Sequence, residues 1–158
     1  MQKITPFLWF DNNAEEAMDF YTSIFRDSKT VKVDCIGDGT PGPRGAIVVA
    51  TFVINGQEIM ALNGGPHFKF TPAFSLHVAC ETQAEVDELW DKLLAGGGAP
   101  SQCGWLTDKF GLSWQIVPTI LNQLIADKDP AKSDRVREAM LGMVKIDIAE
   151  LQKAHAGR

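Results

Sequence analysis

Several side chains of this 158-residue chain are of types that could do chemistry. His77 has a reference pKa of about 6.5, which suits proton transfer or metal ligation; the plainer reading is a cavity-lining histidine bonded to a neighbour. Ser75 lies two residues earlier, so a strand would put both side chains on one face. Gln115 could offer a cation only its amide oxygen. Cys103, within Ser101-Gln102-Cys103-Gly104-Trp105, is a nucleophile only if a base lies beside it and lowers its pKa. No histidine stands at a fixed spacing to do so, and the alternative is a small, half-buried residue. Trp105 offers a flat wall to an aromatic ligand, or else serves the core or an interface. His67, in a Gly/Pro stretch, and His155, near the tail, read as solvated.

Other chemistry is excluded by what the chain lacks. There is no GxxxxGK[ST] and no strand–GxGxxG–helix unit, so no phosphate cradle. Cys35, Cys80 and Cys103 lie far apart without a CxxC pair, which argues for reduced thiols rather than a disulfide framework or a zinc ribbon. Lys and Arg number 15 against 20 Asp and Glu, a net charge of -5, with no basic run. Neither a nucleic acid nor an anionic membrane surface is expected as partner. The apolar run before Asp11 is too short for a signal peptide, and no stretch nears the roughly 18 apolar residues of a membrane span. A cytoplasmic protein is expected, and with 45% hydrophobic and 22% charged residues it has the make-up of a folded soluble domain.

The elements that would hold these side chains follow from periodicity. Ile4 to Phe10 reads as a strand, and Asp11-Asn12-Asn13 offers N-cap chemistry. Ala14, Ala17, Met18, Tyr21, Ile24 and Phe25 then form one apolar helical stripe. Val31, Val33 and Cys35 alternate as a half-buried strand, and the stretch from Gly37 to Pro43 is a loop. Ala46 to Ile54, the Asn55-Gly56 turn and Gln57 to Leu62 form a hairpin. The first of those strands, apolar on both parities, suits a helix on one side and a cavity on the other. Asn63-Gly64-Gly65-Pro66 reads as a flexible turn at the cavity mouth.

The same grammar then restarts. Phe74 to Cys80 is a strand, and Thr82 with Glu85 is a capping-box pattern. Val86, Leu89, Trp90, Leu93 and Leu94 repeat the stripe, which ends at Gly96-Gly97-Gly98. Short strands are expected at Gln102 to Thr107 and Leu112 to Val117, with Asp108 to Gly111 a tight turn between them. In one common register Ala17 falls on Val86, Tyr21 on Trp90 and Ile24 on Leu93, with Pro6 on Ser75 and Leu8 on His77: an internal duplication. Beyond Pro118, Ile120, Leu121, Leu124 and Ile125 form a short helix. Asp129-Pro130 starts another that runs through Val136, Met140, Met143 and Val144, and Ile148 with Leu151 mark a last one.

Two tandem β-α-β-β-β units, with the strings ITPFLWFDNNAEEAMDFY (Ile4–Tyr21), ALNGGPHFKF (Ala61–Phe70), SQCGWLTDKFG (Ser101–Gly111), SWQIVPT (Ser113–Thr119) and the closing MVKIDIAELQKA, resemble the vicinal oxygen chelate (glyoxalase/bleomycin-resistance) superfamily. Within it they resemble the PhnB-like subgroup often labelled 3-demethylubiquinone-9 3-methyltransferase. The resemblance spans essentially the whole chain. It implies an α+β fold of two βαβββ units, at about 1–68 and 69–118, whose curled mixed sheets surround a cavity, with a helical extension over 119–158.

Metal-dependent members of that superfamily place one ligand on the first and last strand of each unit. Those positions fall here on Pro6, Ala61, Ser75 and Gln115, of which only Gln115 could coordinate. The resemblance therefore implies no metal and no cofactor. It also implies a cavity lined by Leu8, Phe10, Ile59, Ala61, Ser75, His77, Cys103, Trp105 and Gln115, an apolar wall with few polar anchors. The expected function is binding of a small molecule by a homodimer. The alternatives are a metal-independent enzyme on an aromatic or quinone-like substrate with His77 as base, and an interaction dimer without ligand. Methyl transfer from S-adenosylmethionine would need a strand–glycine loop–helix that the sequence lacks.

Overall fold

The computed structural model describes residues 3–37 and 46–158. Apart from Gly37, the expected loop from Gly37 to Pro43 lies outside them. The chain divides into two compact units between Phe70 and Thr71. No helix among the described residues is long and apolar enough to cross a membrane.

In the first unit β1 (Phe7–Phe10), α1 (Ala14–Ile24), β2 (Lys29–Cys35), β3 (Ile47–Ile54) and β4 (Gln57–Asn63) follow in order. They build a sheet ordered β1-β4-β3-β2, with β1 parallel to β4 and the other pairs antiparallel. Asn55 and Gly56 both take positive φ, 47° and 77°, the geometry a two-residue hairpin turn needs. Leu8, Phe10, Ala50, Phe52, Ile54, Ile59 and Ala61 are buried with Ala14, Ala17, Met18, Tyr21 and Ile24 of α1. The Tyr21 ring stacks at 6.4 Å on Phe52, so this is the face that the helix covers.

Asn13 precedes α1 but makes no side-chain cap. Asn63, at the end of β4, does so from afar: its Oδ1 accepts the Ala14 N–H at 2.8 Å while its Nδ2 donates to Ile47 O at 3.1 Å. The strand expected to be half-buried around Val31 is mostly exposed, because β2 is a sheet edge.

The second unit repeats the plan with β5 (Ser75–Cys80), α2 (Gln83–Leu94), β6 (Ala99–Pro100), β7 (Trp105–Thr107) and β8 (Ser113–Pro118). Its order, β5-β8-β7-β6, is that of the first sheet, and β5 runs parallel to β8. The capping box forms. Thr82 accepts from Glu85 N at 3.2 Å, and the Glu85 carboxylate accepts from Glu81 N at 2.7 Å. Each sheet is open, neither closed nor strongly curled, which corrects the curled sheets expected from the resemblance. Twist accumulates strand by strand, and among the described residues four strands in each sheet, with β6 of the second only two residues long, do not close on themselves.

The helices α3 (Thr119–Ile125), α4 (Pro130–Leu141) and α5 (Ile148–Ala156) share a core with β8: Val117, Leu121, Val136, Ile146 and Leu151 are buried together. Asp129 caps α4 through Ala131 N at 3.0 Å. That helix stops at Leu141 rather than running through Met143 and Val144. The carbonyls of those two residues accept the Cys103 and Gly104 N–H groups, each at 2.8 Å. This clamp also shortens the strand expected from Gln102, since Cys103 and Gly104 take positive φ, 58° and 81°, and the extended run begins only at Trp105. The Gln83 side chain ties the extension to α2, donating to Ile146 O at 3.1 Å and accepting from Ile148 N at 2.8 Å.

Candidate functional site

In the second unit one face of the sheet lies under α2, with Leu106, Trp114 and Ile116 buried beside Val86, Leu89, Trp90 and Leu93. Strand alternation puts Ser75, His77, Trp105, Thr107 and Gln115 on the other face. The register aligns them: His77 pairs with Gln115, and Gln115 with Trp105. Strands lie about 4.8 Å apart, so the row Trp105–Gln115–His77 spans roughly 10 Å of backbone. His77 is exposed, and Ser75, Trp105 and Gln115 are half-buried.

Gln115 does not reach to His77. Its Nε2 donates diagonally to Ser75 Oγ at 2.9 Å. Among the described residues nothing bonds the His77 imidazole, the Trp105 Nε1–H or the Gln115 Oε1. A flat indole, a free carbonyl acceptor and a free imidazole thus stand side by side, and together they can stack a planar ring and hydrogen-bond its substituents.

The hairpin bearing two members of this row is held by Asp108, only 3% exposed. Its Oδ1 accepts from Phe110 N at 2.9 Å and Leu112 N at 3.1 Å, and its Oδ2 from Trp114 Nε1 at 2.8 Å. The Cys103–Gly104 clamp fixes the other end of β7, directly before Trp105. Cys103 itself is half-buried, and no described residue hydrogen-bonds its thiol. Cys80 lies buried on the α2 side. Burial, with Glu85 and then Glu81 adding repulsion, pushes its thiol up to about 12, which leaves it neutral and unreactive.

In the first unit Leu8, Phe10, Ile59 and Ala61 lie on the α1 side and form its core. Alternation leaves Phe7, Trp9, Val49, Thr51, Met60 and Leu62 on the opposite face, half-buried apart from the exposed Phe7. The duplication holds for the helices but slips by one residue in the strands. With Phe10–Asn63 set on Cys80–Pro118, the pair Phe7–Met60 matches His77–Gln115, whereas Leu8 is core and His77 is not. A one-residue slip turns every side chain to the other face.

The segment after β4 is tied to the end of β1: Gly64 N and Gly65 N donate to Phe10 O and Asp11 O at 2.9 and 3.0 Å. Trp9 Nε1 donates to Gly65 O at 2.9 Å, and Phe68 meets the Trp9 ring edge-on at 5.0 Å.

His67 is exposed as expected; His155 is not. Its Nε2 lies 2.8 Å from Asp127 Oδ2, with both side chains largely covered. The Asp129 N–H and then His155 hold the Asp127 carboxyl below its ordinary range.

The residues present do not suit a divalent ion. Pro6 and Ala61 have no donor atom, and the strand positions matched by the sheets supply Phe7, Met60, His77 and Gln115. Among the described residues no three His, Cys, Asp or Glu side chains lie together as a metal group.

Residues 2–117 match the model of the family described as 3-demethylubiquinone-9 3-methyltransferase; the helices α3–α5 lie beyond that segment. Among solved structures, the chain is 43% identical to a PhnB protein from Bacillus cereus, covering 75% of this chain and 100% of that one with a TM-score of 0.68. A protein from Pseudomonas aeruginosa is 23% identical over 75% of this chain and 98% of its own, with a TM-score of 0.61. A glyoxylase/bleomycin resistance protein/dioxygenase domain from Frankia is 19% identical over 72% and 94%, with a TM-score of 0.48. A comparison with curated proteins finds no match.

Proposed function

Because the chain belongs to the PhnB-like 3-demethylubiquinone-9 3-methyltransferase family, we propose that it is a small-molecule binding protein, which takes a planar ligand on the open face of its second sheet without a metal ion. The observation that carries this reading is the row Trp105–Gln115–His77. Its His77 imidazole, Trp105 Nε1–H and Gln115 Oε1 have no partner among the described residues, on a face that α2 does not cover. Pockets for organic ligands have this make-up, a flat apolar wall with a few placed polar groups.

The methyl transfer named in the family's description would need a second site, for a methyl donor. Nucleotide-like donors sit where a strand turns through glycines into a helix N-terminus. Here β1 enters α1 through Asp11-Asn12-Asn13, and Asn63 already occupies the Ala14 N–H. Likewise α2 is closed by Thr82. These residues do not fit such a donor, which favours binding over methyl transfer.

Titration with 2-naphthol as probe is expected to saturate a change in tryptophan fluorescence at one equivalent per site, with the compound recovered unchanged by chromatography. No saturable change with it or with other flat aromatics would overturn the reading. A second reading, catalysis on an aromatic or quinone-like substrate, is favoured by one observation. The exposed His77 imidazole has no described partner and could take a proton from a ring hydroxyl. Turnover that vanishes in His77→Ala, with the circular dichroism unchanged, would establish it in place of simple binding. We also propose a homodimer, which the exposed Phe7 and Phe68 (52% and 66%) support as apolar surface in want of cover. A monomer mass by light scattering would refute it.

A further inference from the structure

We propose that Gln83 is a positioning residue: through the linker between α4 and α5 it holds the turn that sets Trp105 on the ligand face. The C-terminal extension thereby tunes how tightly that face takes a planar ring. This rests on the binding reading above and adds to it a control point away from the face.

Gln83 is the first residue of α2. A carboxamide has donors on one arm and an acceptor on the other. Here both arms meet backbone groups of fixed polarity, so the sense of the amide is set. Its Nε2 donates to Ile146 O at 3.1 Å, and its Oε1 accepts from Ile148 N at 2.8 Å. The same Nε2 donates to Asp87 Oδ1 at 3.1 Å. Asp87, one turn further along α2, also pairs with Lys145 Nζ at 2.7 Å. Two side chains on one helix face thus grip Lys145, Ile146 and Ile148.

The same stretch of chain reaches the turn before β7. Met143 O and Val144 O accept the Cys103 and Gly104 N–H groups at 2.8 Å. The fully buried Ile146 closes on the turn too, with its Cγ1 3.0 Å from where a Cβ on Gly104 would stand. Cys103 has φ 58°, a left-handed conformation that a residue with a Cβ adopts at a cost. Such a conformation persists only where the surroundings over-determine it. Gly104 O accepts Ile116 N at 2.8 Å from the sheet side, and the linker carbonyls supply the hold from the other. A linker released by α2 lets Cys103 relax, and Trp105 follows two residues on. The linker lies beyond residue 117, where the family match ends.

The test is nuclear magnetic resonance of the full chain in three forms: unaltered, Gln83→Ala and Thr82→Ala. Thr82 is the control, since its hydroxyl caps α2 through Glu85 N and makes no bond to the linker among the described residues. Without ligand, Gln83→Ala should shift the Trp105 indole signal and speed exchange of the Cys103 and Gly104 amides, and Thr82→Ala should do neither. Titration with 2-naphthol should then show binding about 5-fold weaker in Gln83→Ala and within about twofold of the parent in Thr82→Ala, the scale on which residues away from a ligand act. A merely structural Gln83 would lower the urea midpoint, as Thr82→Ala does, without moving Trp105 or the affinity. An unmoved Trp105 signal, an affinity for Gln83→Ala within about twofold of the parent, or equal weakening in Thr82→Ala would each overturn this inference and leave the binding reading standing. If neither 2-naphthol nor another flat aromatic binds the unaltered protein, the binding reading fails and takes this one with it.

Discussion

Replacing Asp108 is the most demanding test of how the β7–β8 hairpin holds Trp105 and Gln115 in place. The carboxylate is 3% exposed and accepts from Phe110 N, Leu112 N and the Trp114 indole. Asp108→Ala takes this acceptor away from all three donors, two of them on buried residues. Hydrogen bonds to a charged group contribute about 1.5–3 kcal/mol each, and an orphaned buried donor costs about 1–3 kcal/mol. Discounting Phe110 N, which water can reach, the loss comes to about 3–5 kcal/mol.

Asp108→Asn is the sharper variant, because it keeps Oδ1 but turns an N–H₂ toward the indole N–H. One bond becomes a donor–donor contact, at a cost of about 2–3 kcal/mol. Adding Trp114→Phe removes that opposed donor, so the double variant should be less destabilised than the sum of the singles by about 1–2 kcal/mol. Urea unfolding monitored by circular dichroism measures all four proteins. Asp108→Asn within about 0.5 kcal/mol of the parent, or strictly additive singles, would refute the reasoning.

Three further outcomes are expected. Asn63→Ala strips the Ala14 N–H of its cap and Ile47 O of its donor, and should lower stability by about 1–2 kcal/mol in urea. In Gly64→Ala the new Cβ would fall 2.2 Å from the Trp9 ring, so the indole must leave Gly65 O; a loss of about 1–3 kcal/mol and a red-shifted Trp9 emission should accompany it. Burial holds the Cys80 thiol at about 12, up from 9.0, so the folded chain keeps a proton that the unfolded chain releases above about 9. That contribution is complete below pH 9 and is lost as pH rises toward 12, at a limiting slope of about 1.4 kcal/mol per pH unit. Cys80→Ala should remove this slope, and in the native protein iodoacetamide should modify the exposed Cys35 long before Cys80.

Much of the fold was legible in the residues. The stripes Ala14–Ile24 and Val86–Leu93, the Asn55-Gly56 turn, the Thr82/Glu85 box and the Asp129-Pro130 start are local signals, each set by chemistry within a few residues, and each forms as read. The doubled β-α-β-β-β order followed from their repetition. What misled was the strand register between the units. Ile4 to Phe10 is apolar on both parities, so nothing within it says whether Leu8 or Trp9 faces the helix. The tie to α1 is made by Asn63, far along the chain. The solvated reading of His155 failed for a similar reason, since its partner Asp127 stands in the turn between α3 and α4, 28 residues away in the chain.

The sequence by itself determined which segments are strands and helices, where α2 and α4 begin, and that the plan is used twice, because caps, turns and periodicity act over a few residues. Only the tertiary structure decided which parity of each strand faces its helix. That choice made core of Leu8, Phe10, Ile59 and Ala61, and set Ser75, His77, Trp105 and Gln115 in register on an open face. It rests on pairing between strands many residues apart, where a shift of one position reverses every side chain and no local signal records which way it went.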